Sequence, residues 1–110
     1  MSTRSATRFN REVGERLEHM RNVLGMSQQV VADQLGVTRQ TLSNYESGRN
    51  SMSAGNVRAV CEIYRIPPTW LLGIDDELYL KSTVNGRHIE IREKSPSIAS
   101  PLKDVEGEES

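Results

Sequence analysis

The sequence predicts a mainly α-helical domain of five short helices, followed by a C-terminal β-hairpin and a disordered tail. Three observations predict it. Up to Tyr64, apolar residues recur at intervals of three and four, the period of helices buried on one face. From Leu78 the period changes to two, and Asn85-Gly86 interrupts it where a hairpin would turn. From Glu93 onward, EKSPSIASPLKDVEGEES is rich in Ser, Pro and acids and has no period at all. The resulting divisions are a flexible basic N-terminal arm over 1–9, a helical domain over 10–74, the hairpin over 75–92 and a disordered acidic tail over 93–110.

Each element has its own signals. The first helix is expected to start near Asn10. Val13, Leu17, Met20 and Leu24 then form one apolar stripe, and Gly25 ends it. Ser27 is an N-cap for a second helix over Gln28 to Leu35, and Thr38 caps a third over Arg39 to Glu46, closed by Gly48. Ser53 caps a fourth, Ala54 to Tyr64, whose Val57, Val60, Cys61 and Tyr64 share a face. Pro67 and Pro68 suit the first turn of a short fifth helix. Trp70, Leu71 and Leu72 follow as an apolar plug, and Gly73 stops it.

A two-residue turn at Asn85-Gly86 sets the hairpin register. Val84 faces Arg87, Ser82 faces Ile89 and Leu80 faces Ile91. Leu78, Leu80, Val84, Ile89 and Ile91 then lie on one face. A lone hairpin is marginal in water, so this face must pack on something. The chain's own helices are one option. The preferred expectation is a second copy, which makes those five residues a dimerisation surface.

The stretch QQVVADQLGVTRQTLSNYES, Gln28 to Ser47, carries the chemistry. Val31, Ala32 and Leu35 sit on one helical face. Gly36 and Val37 form a sharp break, where glycine tolerates the positive φ of a tight turn. Leu42 and Tyr45 then resume an apolar face. The residues left pointing outward are Thr38, Arg39, Gln40, Ser43 and Asn44, a set suited to DNA base edges and phosphates. The pattern is a helix-turn-helix.

Composition narrows the alternatives. The chain of 110 residues is one small domain. Its single cysteine, Cys61, cannot form an internal disulfide and falls at a core position. His19 and His88 are isolated, so no metal or other cofactor is expected. No run approaches a membrane span, and the N-terminus lacks the apolar core of a secretory signal, so a cytoplasmic location is expected. Ser27, Ser43 and Ser53 are accounted for as caps or DNA contacts and no catalytic triad is visible, so no enzymatic activity is expected. The net charge of −1 hides a division. Residues 1–74 hold nine Arg and six acids, a balance of +3, whereas 93–110 hold two Lys and five acids, −3. The basic excess lies with the helix-turn-helix, where phosphate binding needs it.

From Val13 to Gly73 the chain resembles the Cro and phage-repressor class of helix-turn-helix proteins, the Xre type. The motifs that carry the resemblance are L-x-x-M-R in the first helix, G-M-S-Q-Q-x-V-A-x-x-L-G-V, T-x-x-x-Y-E-x-G-R, and W-L-L-G. The resemblance implies a lambda-repressor-like, five-helix fold whose second helix crosses the phosphate backbone and whose third lies in the major groove. It implies base contacts from Thr38, Arg39, Gln40, Ser43 and Asn44. Phosphate contacts are implied for Gln28, Arg49 and Asn50, with Arg8 and Arg11 adding to them from the arm. It also implies an ion pair between Arg21 and Glu46 that ties the first helix to the third.

The function that follows is sequence-specific transcriptional regulation, in the manner of a phage or prophage repressor. The implied partners are a palindromic double-stranded DNA operator and a second copy of the chain. The alternative is an antitoxin or adaptor that uses the same fold and binds a protein through the hairpin or the tail.

Overall fold

A computed structural model describes residues 3–84 and 86–94. Five helices come first: α1 (Thr3–Val23), α2 (Gln28–Leu35), α3 (Arg39–Ser47), α4 (Ala54–Tyr64) and α5 (Pro68–Leu71). Two strands follow, β1 (Glu77–Val84) and β2 (Arg87–Lys94). Three of the helices begin at hydroxyl caps. The side chains of Ser27, Thr38 and Ser53 accept from the backbone N–H groups of Val30, Thr41 and Asn56. Each cap satisfies a donor that the helix cannot bond internally, worth about 1 kcal/mol. Between α2 and α3, Gly36 sits at φ +80° and its N–H bonds back to Ala32 and Asp33.

α1 departs from expectation. It starts at Thr3 rather than near Asn10, so residues 3–9 are helix and not a flexible arm. Met1 and Ser2 lie outside the described residues. Polar composition does not stop a helix. Once a packed segment has nucleated it, each further residue adds a backbone hydrogen bond without a new nucleation cost. Phe9, four residues before Val13, continues the apolar stripe one turn further.

The core lies where the helices converge. Leu17, Met20, Val31, Ala32, Leu42, Val60, Tyr64, Trp70 and Leu71 have no exposed surface. α1 and α3 cross backbone to backbone. A Cβ on Gly14 would lie 2.5 Å from the carbonyl oxygen of Tyr45 and would also strike that of Glu46. One turn earlier, a Cβ on Gly48 would lie 2.7 Å from the Cα of Arg11. Gly48 also sits at φ +81°, as the cap that ends α3. Only glycine meets both demands at that position.

The strands pair in the register that the two-residue turn dictates: Leu80 with Ile91, Ser82 with Ile89 and Val84 with Arg87. Leu78 and Ile91 are buried, 1% and 6% exposed, and belong to the helical core. Their assignment to a dimer surface is therefore corrected. The root of the hairpin packs on its own helices because that contact is intramolecular and costs no association entropy. The side chains of Leu80, Val84 and Ile89, on the same face, lie outside the described set. On the opposite face the Arg92 guanidinium stacks 4.7 Å from the ring centroid of exposed Tyr79. β2 also claims Glu93 and Lys94, the first two residues expected in the tail. The rest of the tail lies outside the described residues. Among the described residues, no helix is long and apolar enough to cross a membrane.

Candidate nucleic-acid interface

The interface is built on α3, and α3 is fixed from behind by charge. Arg21, in the last turn of α1, meets Glu46 in a two-pronged pair. Nε donates to Oε2 at 2.7 Å and Nη2 to Oε1 at 3.1 Å. Its third contact is Nη1 to the carbonyl of Met26, 3.1 Å away, in the link before α2. Glu46 is 6% exposed. The hydrogen bonds to Glu46 raise the pKa of Arg21 further, against the opposing effect of burial. A desolvated fork of this kind fixes orientation as well as distance.

Gln28, the first residue of α2, extends that network toward solvent. Its Nε2 donates to Glu46 Oε1 at 2.9 Å, while its Oε1 accepts from Arg39 Nη1 at 3.2 Å. The amide orientation is unambiguous, because a carboxylate only accepts and a guanidinium only donates. A continuous chain therefore runs from Arg21 through Glu46 and Gln28 to Arg39, the first residue of the third helix. Gln28 thus holds Arg39 as well as standing at the N-terminus of α2, where the sequence places a phosphate contact.

Thr38, Arg39 and Gln40 are exposed, and Ser43 and Asn44 are half-buried along the same helix. Within this set Gln40 Nε2 donates to Asn44 Oδ1 at 3.1 Å, one turn apart. The Thr38 hydroxyl is 2.8 Å from that of Thr41 while also capping the helix. After α3 the chain turns sharply. The N–H groups of Arg49 and Asn50 both donate to the carbonyl of Asn44, at 3.0 and 3.2 Å. Both side chains are exposed, next to the point where Arg11 abuts Gly48. Arg8 is exposed one turn before Arg11 and lies 3.7 Å from Glu12. α4 braces α3 from its far end, Asn56 Nδ2 donating to Tyr45 Oη at 3.1 Å.

Two residues that matter to this arrangement escaped the sequence reading. Gly14 permits the α1–α3 crossing, and the available signal was a lone glycine inside an apolar helical stripe. Arg16 is 2% exposed, with Nη1 3.4 Å from the carbonyl of Glu12 and close to where a Cβ of Gly73 would lie. Burial lowers its pKa, with Glu12 and Glu15 opposing that shift. An arginine among acids on a helix reads as a solvated face, so nothing local marked it. Cys61 is buried, and desolvation pushes its thiol up to about 11, which keeps it protonated and unreactive near neutral pH.

A family model described as a helix-turn-helix domain matches residues 12–71, which is 60 of the chain's 110 residues. The chain belongs to the helix-turn-helix family. A relative from Sinorhizobium medicae, named an uncharacterized HTH-type transcriptional regulator, is 36% identical over 55 residues. The alignment takes in 50% of this helix-turn-helix chain and only 40% of that relative. The restriction-modification controller protein C.AhdI of Aeromonas hydrophila superposes with a TM-score of 0.53 at 28% identity, over 56% of this chain and 92% of that one. The P22 c2 repressor, solved with a synthetic operator, gives 0.52 at 20% identity over 68% and 96%. At that identity the likeness is one of fold.

Proposed function

We propose that this chain is a sequence-specific DNA-binding transcriptional regulator, a repressor of the phage or prophage type that acts as a dimer on a palindromic operator. The observation that carries the reading is the chain of hydrogen bonds from the part-buried Arg21–Glu46 pair to Arg39, which holds an exposed reader at the start of α3. With α3 in the major groove, Thr38, Arg39, Gln40, Ser43 and Asn44 face base edges. One guanidinium N–H of Arg39 stays with Gln28 and the others fork onto guanine O6 and N7, while Gln40 pairs with adenine N6 and N7. Gln28, Arg49 and Asn50 bind phosphates and set the register, with Arg8 and Arg11 beside them. Repression follows from occupying a site that polymerase needs. The names of relatives and the controller and repressor folds support this reading.

A palindrome needs two copies with recognition helices ~34 Å apart. Leu78 and Ile91 serve the chain's own core, so a hairpin-mediated dimer would use Leu80, Val84 and Ile89.

Selection of duplexes from a random library tests the function. The expected product is a motif of two inverted half-sites about 10 base pairs apart, centre to centre. On that duplex Arg39→Ala or Gln40→Ala should weaken binding by roughly 1–3 kcal/mol and relax preference at one base pair. Equal losses on random DNA would remove the base-reading assignment. No enriched motif would leave an adaptor role in its place.

A further inference from the structure

We propose that the C-terminal tail of this chain docks on its own helix-turn-helix domain, with Leu102 in an apolar cleft and the acids that follow it against Arg11 and Arg49. The docked tail holds off DNA by standing where phosphates would bind. That consequence rests on the DNA-binding reading above; the docking itself does not.

The first observation is the cleft. It opens between α1, the loop after α3, α4 and the residue that ends α5. Phe9, Val13, Met52, Val57 and Leu72 make its apolar wall. It encloses about 40 Å³, room for roughly three waters or the body of one aliphatic side chain. Phe9 is 46% exposed, so part of that wall stands in water. An aliphatic side chain seated there removes apolar surface from water on both partners.

The second is what borders the cleft. Asn10 and Asn50 line it as well. Arg11 follows Asn10 and Arg49 precedes Asn50, and both arginines are exposed. The two are also close in space, since the backbone of Arg11 abuts Gly48. An apolar cleft is thus edged by two cations.

The third is the order of residues in the tail. Leu102 is followed by Asp104, Glu106, Glu108 and Glu109, against one lysine, Lys103. An apolar anchor followed by anions matches an apolar cleft edged by cations. Ile98 fits less well, because its first acid is six positions on and beyond Pro101.

The fourth is reach. Leu72, in the cleft wall, is five residues before Glu77, so their Cα atoms are at most ~19 Å apart. Glu77 faces Lys94 across the hairpin, about 5 Å away. The tail therefore leaves the sheet within ~24 Å of Leu72. Leu102 is eight residues past Lys94, and eight extended residues span roughly 26–29 Å.

Two readouts on the full chain test the docking. In the first, a nitroxide is attached through Gly107→Cys. Cys61 is buried and its thiol, pushed up to about 11, stays unlabelled. The amide resonances of Asn10, Ser51 and Val57 should broaden. Leu102→Ser in the labelled chain, which changes no charge, should restore them. Broadening that survives Leu102→Ser, or none at the cleft, would overturn the docking. Broadening reproduced in full by a mixture of spin-labelled and isotope-enriched chains would put the tail on a second copy, and would overturn docking within one chain. In the second readout, Leu102→Ser and, separately, Asp104→Asn with Glu106→Gln should each tighten binding to the selected duplex by roughly five-fold, because releasing the tail raises the competent fraction. Tighter binding from the charge change alone, with Leu102→Ser at wild-type affinity, would reduce the tail to general repulsion of DNA and overturn its anchor. If the wild-type chain enriches no duplex, the DNA-binding reading fails, and the resonances still decide the docking.

Discussion

The α2–α3 turn and the β1–β2 turn are both short, yet the two regions are secured in different ways. The helical turn is clamped by groups from three helices. Arg21 of α1, Gln28 of α2 and Glu46 of α3 share one desolvated network, and the α1 backbone presses on α3 at Gly14. The hairpin is ordered along its own length by strand pairing, but among the described side chains Leu78 and Ile91 are those that join it to the core. A part that must hold side chains to within fractions of an ångström is over-determined. The hairpin, whose order comes from its own strand pairing, joins the core through Leu78 and Ile91.

The largest expected effect lies in the first region. Glu46→Ala leaves the half-buried Arg21 without its carboxylate and should cost about 3 kcal/mol, read by urea unfolding. A loss under 1 kcal/mol would mean that the pair is solvent-relaxed and that packing alone holds α3. Next comes the hairpin root. Leu78→Ala should cost about 2–4 kcal/mol as a cavity in the shared core. By contrast, replacing Leu80 and Ile89 with Ser should lower the sedimentation mass, if these residues join two copies. An unchanged mass would move the dimer contact elsewhere.

A smaller effect probes the link between buried network and reader. In a double-mutant cycle, Gln28→Ala and Arg39→Ala should couple in operator binding by about 0.5–1.5 kcal/mol. Strict additivity would mean that Gln28 does not position Arg39. The smallest effect concerns Cys61. Its folded pKa is raised to about 11 from 9.0, so the unfolded chain gives up the proton first. The stabilisation from this thiol is complete below about pH 9 and declines as pH rises toward 11. The difference in melting temperature between wild type and Cys61→Ala should therefore shift steadily against the wild type over that range. A flat difference would indicate a solvent-exposed thiol.

The contrast extends to what could be read in advance. The limits of α2, α3 and α4 were legible to within a residue because Ser27, Thr38 and Ser53 bond to backbone three residues away. Strand register was legible for the same reason, since a two-residue turn fixes which residues face each other. Arg21 and Glu46 were legible only through the resemblance, because nothing within either helix says that they meet. The start of α1 was misread because polar residues extend a helix as readily as they leave it. What makes Gly14 necessary lies 31 and 32 positions on, at Tyr45 and Glu46, and the Gly73 beside which Arg16 lies is 57 positions on, so neighbouring residues could not show either role.

The sequence by itself therefore determined the elements: their caps, their turns, their amphipathic faces and the outward set from Thr38 to Asn44. These depend on interactions within a few residues, which composition and spacing encode directly. The tertiary structure alone decided that α1 runs on to Thr3 as a helix and that Gly14 lets it touch α3. It also decided that Gln28 faces both Glu46 and Arg39, and that the hairpin's root belongs to its own core. Those outcomes depend on which surfaces are desolvated together, and desolvation is a property of the assembled chain rather than of any segment of it.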